Sequence, residues 1–136
     1  MIQRKIFYSV IQVDGIVGSR KQDGYELQID GEKFNAYQSI REGSVYILDP
    51  KNGLALQTYD VGENEDELSE IELIERAKDK LIQSGVLNRW KEKRGNESYR
   101  LKVEMFKACK KAELLREKLR ETERREIEDR RQQDNE

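Results

Sequence analysis

The sequence has no histidine, one cysteine and one proline among its 136 residues. The absence of histidine excludes His-based general acid–base catalysis, nucleophiles activated as Ser–His or Cys–His pairs, and the common His-containing zinc sites. Cys109 alone cannot form an intramolecular disulfide, which fits a reducing compartment. No run of about 18 apolar residues is present, and the start M-I-Q-R-K does not resemble a signal peptide. We therefore expect a cytoplasmic, non-enzymatic protein with no cofactor, metal or membrane span.

The chain is polar, with 40% charged and 35% hydrophobic residues and a mean hydropathy of −0.97. Its length suits one compact domain with an extension. We expect residues 1–88 to form a sheet with a packing helix, and residues 89–98 a basic loop or short helix. Residues 99–136 should form a long helix that serves as an association arm with a frayed end.

The first part has the pattern of an antiparallel meander of about five strands, because every connection is too short for a parallel crossover. Turn signals at Asp14-Gly15, Asp30-Gly31 and Asn52-Gly53 separate the strands. The segment Ile16 to Gln22 is either a short strand or a polar loop. The first strand, rich in β-branched and aromatic residues, is predicted to be well buried. The strands are Lys5–Val13, Tyr25–Ile29, Lys33–Ser39, Ser44–Leu48 and Leu54–Val61.

An amphipathic helix is predicted after the sheet. Ser69 and Glu72 match a capping box, and Gly85 suits a left-handed C-cap. This helix should cover the apolar face of the sheet, which gives the α+β class. Its apolar face is predicted to comprise Ile71, Ile74, Ala77 (or Lys78), Leu81 and Ile82.

Positive charge is concentrated between Arg89 and Arg120, where twelve basic residues face five acidic ones in a chain of net charge −2. A basic segment between acidic ones suits an anion or an acidic partner. At its start, arginine can grip phosphate, aromatic rings can stack on a base, and a Gly-Asn helix entry exposes N–H donors. The alternative is that the tryptophan anchors a short helix while the cations stay solvated. The candidate ligand-binding residues are Arg89, Trp90, Arg94, Asn96, Tyr99 and Arg100.

The long C-terminal helix carries one narrow apolar stripe that starts at Tyr99 and is flanked by charge. Such a stripe is typical of an association surface, and we expect a homo-oligomer. The alternative is packing against the chain's own helix of residues 69–84, and both can hold along different turns. The candidate interface residues are Val103, Phe106, Cys109, Ala112, Leu115 and Leu119.

Two stretches, V-Y-I-L-D-P-K-N-G-L-A-L (residues 45–56) and I-E-L-I-E-R-A-K-D-K-L (residues 71–81), resemble a pattern of small phage and prophage accessory proteins. The layout of a sheet followed by paired helices resembles the phage Thoeris anti-defence "sponge" proteins. That resemblance implies an oligomer that sequesters cyclic nucleotide signals inside a bacterial host. The matching residues are structural, so no ligand residue of that family is transferred to this chain.

These observations leave two main hypotheses. The first is a counter-defence protein that oligomerises through its C-terminal helices and binds a small anion such as a cyclic nucleotide. The alternative is an inhibitor that docks on a host immunity protein, as anti-CRISPR proteins do, through its charged helical surface. Nucleic-acid binding is less favoured because the net charge is negative.

Overall fold

Five antiparallel strands form one sheet in the computed structural model, which describes residues 2–134 with the exception of the side chains of Val13 and Ile16. Each strand pairs with the next one in the chain, so the order is β1-β2-β3-β4-β5. The meander and the α+β class predicted from the sequence are confirmed. The strands are β1 (Gln3–Val13), β2 (Ile16–Ile29), β3 (Glu32–Gln38), β4 (Val45–Leu48) and β5 (Ala55–Tyr59).

The first two strands form a long hairpin that closes at Asp14-Gly15, where both residues have positive φ. Pairing runs without interruption from Val13 opposite Ile16 to Gln3 opposite Glu26. The ambiguous segment after the turn is therefore strand, and it continues into the predicted strand that begins at Tyr25. The unbroken ladder satisfies the backbone groups that a polar loop would have left to water.

β1 is less buried than predicted. Phe7 and Ser9 are buried, but Ile6 on the other side is 63% exposed. The reason is topological: β1 is an edge strand, whereas the helix that covers the sheet contacts β3, β4 and β5. The far edge of β1 is held at one point, where the Val10 N–H donates to the Gly53 carbonyl at 3.0 Å. The sheet therefore curls until its first strand touches the turn between β4 and β5.

The covering helix, α1 (Glu70–Gln83), begins as predicted. The Ser69 hydroxyl accepts a hydrogen bond from the Glu72 N–H at 3.2 Å, and Gly85 beyond the far end has φ +78°. The apolar face predicted for this helix is rotated relative to the buried face that the structure shows, because Ile71 and Ile82 are exposed. At about 100° per residue, these two lie roughly a quarter turn from the stripe that reaches the sheet. The buried stripe is Leu73, Ile74, Ala77 and Leu81.

The core lies between α1 and the sheet. Side chains from β2, β3 and β4 meet the buried stripe of α1 and one residue of the next helix. Burial of this apolar surface is the main stabilising contribution in a domain of this kind. The sheet contributes Tyr25, Leu27, Ile29, Phe34, Ala36, Val45 and Ile47, and the next helix contributes Leu87.

A buried carboxylate fixes the acidic connection between β5 and α1. The Glu65 carboxylate accepts hydrogen bonds from the Tyr59 hydroxyl at 2.6 Å, the Arg76 guanidinium at 2.8 Å and the Gly62 N–H at 3.0 Å. The bond from Tyr59, followed by those from Gly62 and Arg76, lowers the pKa of Glu65 to about 2. This acidic connection is therefore a structured clamp.

Two helices complete the chain: α2 (Val86–Lys93) and the long α3 (Glu97–Asp134). α3 packs on β2 and on the turn between β4 and β5, and not mainly on α1 as the alternative interpretation of its stripe held. From Lys118 to Asp134 every residue is exposed. Of the end that was predicted to fray, residues 132–136, the part up to Asp134 is helical, and residues 135 and 136 lie outside the described residues. Within residues 2–134, no helix is both long and apolar enough to cross a membrane.

Candidate functional site

The Asp49 side chain joins three elements beneath the corner where α2 meets α3. It is only 1% exposed. One carboxylate oxygen, Oδ2, accepts hydrogen bonds from Trp90 Nε1 at 2.7 Å and from the Tyr99 hydroxyl at 2.5 Å. The other, Oδ1, accepts one from the Lys51 N–H at 2.8 Å. A buried carboxylate is stable only when its oxygens are bonded in this way, so Asp49 fixes the positions of both helices relative to the sheet.

The two aromatic candidates, Trp90 and Tyr99, are therefore anchored. The Trp90 ring also makes an edge-on contact with Phe34, with centroids 5.0 Å apart. Burial raises the pKa of the Tyr99 hydroxyl well above its ordinary value, and the hydrogen bond to Asp49 raises it further. Tyr99 consequently stays protonated and donates to Asp49. Both side chains have a structural partner within the chain, whatever else they contact.

A groove of about 380 Å³ lies beside this anchor, between α2, α3 and the start of β5. Leu54 and Leu56 give it an apolar floor. The cations Arg89, Lys93 and Lys102 line its walls, and none of the three pairs with a carboxylate anywhere in residues 2–134. Arg89 and Lys93 are one helical turn apart on α2, so they face the same way. We call this hollow the basic groove.

The six candidate ligand residues are divided between two hollows. Arg89, Trp90 and Tyr99 line the basic groove. A second hollow of about 440 Å³, on the other side of Tyr99, is lined by the remaining candidates, Arg94, Asn96 and Arg100, and by Tyr99 itself. The chain therefore does not gather all six around one ligand.

Two of the candidate arginines already have carboxylate partners. Arg94 contacts Glu32 at 2.7 Å, and this hydrogen bond raises the pKa of Arg94 and lowers that of Glu32. Arg100 contacts Glu97 at 2.9 Å. Arg94 also lies over the Trp90 ring, 5.0 Å from its centroid. An anion would have to compete with these contacts, whereas the cations of the basic groove are free to bind one.

Sequence reasoning missed three residues of this region: Asp49, Lys93 and Lys102. Asp49 lies between two predicted strands, and no pattern in the sequence indicates that its carboxylate would be covered by helices some forty residues later in the chain. Lys93 lies four residues after Arg89, a spacing that could have singled it out. Lys102 joins them only because of the angle between α2 and α3, which sequence does not reveal.

The candidate interface residues follow a stripe that winds around α3. From Phe106 through Cys109 and Ala112 to Leu115 the stripe advances in steps of three, and each step falls about 60° short of a full turn. Three such steps move it to the opposite face. Its first part therefore faces the chain's own sheet, and its last part faces away from it.

The contacts on the inner face are specific. Phe106 is buried, and its ring packs so closely on Gly53 that a Cβ there would lie 2.5 Å from it. The Ser19 hydroxyl donates to the Cys109 carbonyl at 3.2 Å, and Val103 is half-buried. These three candidates, Val103, Phe106 and Cys109, are thus occupied within the chain. Ala112, Leu115 and Leu119 lie beyond this contact.

Comparison of the chain with protein-family models, with curated proteins and with solved structures finds no match. None of these comparisons links the chain to phage anti-defence proteins.

Proposed function

We propose that this protein is a non-enzymatic binder of a small phosphorylated ligand, of the class to which cyclic nucleotides belong. The basic groove holds the ligand, and the protein acts as an oligomer assembled through α3. The single observation that carries the proposal is the convergence of Arg89, Lys93 and Lys102 on one hollow without a carboxylate partner. The groove is lined by these three cations and by one carboxylate, Asp49, whose oxygens already accept three hydrogen bonds. A net positive charge therefore remains for an anion to offset.

The floor of the groove favours an organic phosphate over a bare ion. Leu54, Leu56 and Val86 offer apolar surface beside the cations, and Ser98 adds a hydroxyl. Small-molecule sites commonly combine an apolar lining with a few polar groups that fix the orientation of the ligand. A nucleotide has both features, since its base can lie on the aliphatic floor while its phosphate meets the cations.

The biological setting that we propose comes from the sequence resemblance. A protein that sequesters a nucleotide signal would act as a counter-defence factor in the cytoplasm of a bacterial host infected by a phage. Sequestration needs binding without turnover, which agrees with a chain that lacks histidine.

Calorimetry and thermal denaturation with a panel of cyclic nucleotides, and with inorganic phosphate as a separate probe, test the groove. At about 100 times its Kd, a ligand adds about 2.7 kcal/mol to the stability of the folded state. The variants Arg89→Gln, Lys93→Gln and Lys102→Gln should each weaken binding about tenfold or more, which corresponds to one lost charge-assisted hydrogen bond of about 1.5–3 kcal/mol. The binding should also weaken as salt is raised.

Arg41→Gln is the matched control. Arg41 is exposed between β3 and β4, and it lines neither the basic groove nor the second hollow. The Arg41→Gln variant should bind like the unmodified protein. If no anion in the panel changes the melting temperature, or if Arg41→Gln weakens binding as much as Arg89→Gln does, the groove is not the site.

One observation favours the second candidate, an inhibitor that docks on a host immunity protein. The segment Lys118–Asp134 is an exposed helical surface, dense in charge, on which no other part of the described chain packs. Charge-reversed variants of this segment should then abolish a stoichiometric complex with that host protein, whereas the groove variants should leave the complex intact.

A further inference from the structure

The outer face of α3 carries a straight apolar stripe, which shares Ala112, Leu115 and Leu119 with the winding one and which we call the outer stripe. Its four large side chains are each between 50% and 59% exposed. Successive members are separated by four, three, four, three and four residues, which is the heptad spacing of a coiled-coil seam. The outer stripe consists of Leu101, Met105, Ala108, Ala112, Leu115 and Leu119.

The outer stripe points away from the body of the protein. At about 100° per residue, its members fall within a band roughly 80° wide, and Val103 and Phe106 lie on the opposite side of the helix. Those two face β2 and the turn at Gly53. The helix therefore has one face that packs on its own sheet and another, lined by the outer stripe, that nothing in the described chain covers.

We propose that a second copy of this chain packs antiparallel on the outer stripe. The spacing reads the same in both directions about residue 110. An antiparallel copy therefore places Leu101 opposite Leu119 and Met105 opposite Leu115, and it brings Ala108 to Ala112, where small side chains let the helices approach closely. This inference depends on the assembly part of the proposed function and not on the basic groove.

Charge selects the orientation. Residues 121–136 carry four basic and seven acidic side chains, a net −3, whereas residues 89–100 carry five basic and two acidic ones, a net +3. A parallel pair would bring the two acidic ends together. An antiparallel pair centred on residue 110 carries each acidic end past the N-terminus of the partner's α3, beside its basic corner and the positive end of its helix dipole.

The flanks of the outer stripe agree in part. In the antiparallel arrangement Glu104 of each copy lies across from Lys118 of the other, so this contact occurs twice in the pair. Lys111 lies across from its own counterpart, and on the other flank Lys102 lies across from Arg116; salt screens both repulsions. The start of the exposed end, residues 118–123, also gains a surface to lie along, namely the first turns of the partner's α3.

Assembly is tested by the mass in solution at several concentrations. The chain has a mass of 16.1 kDa, so a pair has 32.2 kDa. Leu115→Glu should reduce the mass to that of one chain at concentrations where the unmodified protein is paired. Leu114→Glu is the control, because Leu114 is 54% exposed, close to the 59% of Leu115, but lies outside the outer stripe. A monomeric unmodified protein, or equal loss of pairing in both variants, overturns the proposal.

Orientation is tested by disulfide trapping in a Cys109→Ser background. Leu101→Cys and Leu119→Cys chains should crosslink when mixed, but neither should crosslink with itself. In an antiparallel pair, like positions are 18 residues and about 27 Å apart, whereas a disulfide requires Cα atoms within about 7 Å. Self-crosslinking of each variant alone indicates a parallel pair and overturns the orientation. Thermal stabilisation of monomeric Leu115→Glu by a nucleotide would show, independently, whether the groove functions without assembly.

Discussion

The most informative single substitution is Asp49→Asn, because Asp49 joins the β4–β5 turn, α2 and α3 through one buried carboxylate. Its two oxygens accept three hydrogen bonds, from Trp90, Tyr99 and the Lys51 N–H. Asparagine has the same shape but replaces one oxygen with an NH₂ group, which donates. The indole of Trp90 and the backbone of Lys51 can only donate as well, so one of them must face a donor.

The magnitude follows from counting these bonds. One buried donor loses its partner, which costs about 1–3 kcal/mol, and the two remaining bonds lose the assistance of the negative charge. We expect the free energy of unfolding to fall by about 2–4 kcal/mol. That is a large part of the 5–15 kcal/mol typical of a whole domain. Tyr99→Phe alone should cost less, about 1 kcal/mol, because a single hydrogen bond is lost.

The assay is urea denaturation followed by circular dichroism, with Trp90 fluorescence as a second probe at the site itself. Asp79→Asn, an exposed aspartate on α1, is the matched control and should be within about 0.5 kcal/mol of the unmodified protein. In a double-mutant cycle, Tyr99→Phe should cost much less when Asp49 is already replaced. A cost below 1 kcal/mol for Asp49→Asn, or additive effects in the cycle, would refute the claim that this carboxylate anchors both helices.

Three further outcomes are expected. Gly53→Ala should lower the free energy of unfolding by about 2–4 kcal/mol, because φ is +69° and the new Cβ would lie 2.5 Å from the Phe106 ring. Gly15→Ala is the comparison: φ is +78° but no atom lies near the new Cβ, so only the left-handed strain of about 1–2 kcal/mol is expected. Urea denaturation measures both. The pKa of Glu65 is lowered to about 2, so its contribution to stability is complete above its unfolded pKa, near 4, and is lost as pH falls toward 2. The melting temperature of Glu65→Gln should therefore depend less on pH in that range than that of the unmodified protein. An equal pH dependence in both proteins would argue against the clamp. Ser69→Ala should cost about 1 kcal/mol through loss of the helix cap, also measured by urea denaturation.

The turns made the sheet predictable. Asp14-Gly15 and Asp30-Gly31 adopt the positive φ that their sequence favours, and short connections leave only antiparallel neighbours. What sequence could not supply is which strand the helix covers. The composition of β1 suggested burial, yet burial depends on a neighbour, and α1 packs on the other end of the sheet. Ile6 is exposed for that reason and not because of any local preference.

The candidate site was predictable in charge but not in geometry. The excess of basic residues after Arg89 indicates the corner where the basic groove lies, but it could not separate cations that have carboxylate partners from those that do not. Arg94 donates a hydrogen bond to the carboxylate of Glu32, which lies 62 residues earlier in the sequence, whereas Arg89 lines the groove without a carboxylate partner in residues 2–134. Pairing over such distances depends on the fold, so no window of sequence around residue 94 contains the information.

The long helix shows how two surfaces can be mistaken for one. Steps of three and four both look helical, so Phe106, Cys109, Ala112 and Leu115 form a single stripe when they are read in order. A run of steps of three nevertheless rotates the stripe steadily, whereas alternation of four and three keeps it on one face. Only the second pattern can contact one straight partner along its length. The contact of Phe106 with the turn at Gly53 identifies which residues serve the sheet. Without those residues the winding stripe keeps only Ala112, Leu115 and Leu119, which belong to the alternating set that begins at Leu101. The symmetry of that set about residue 110 is the basis of the antiparallel pair that we propose.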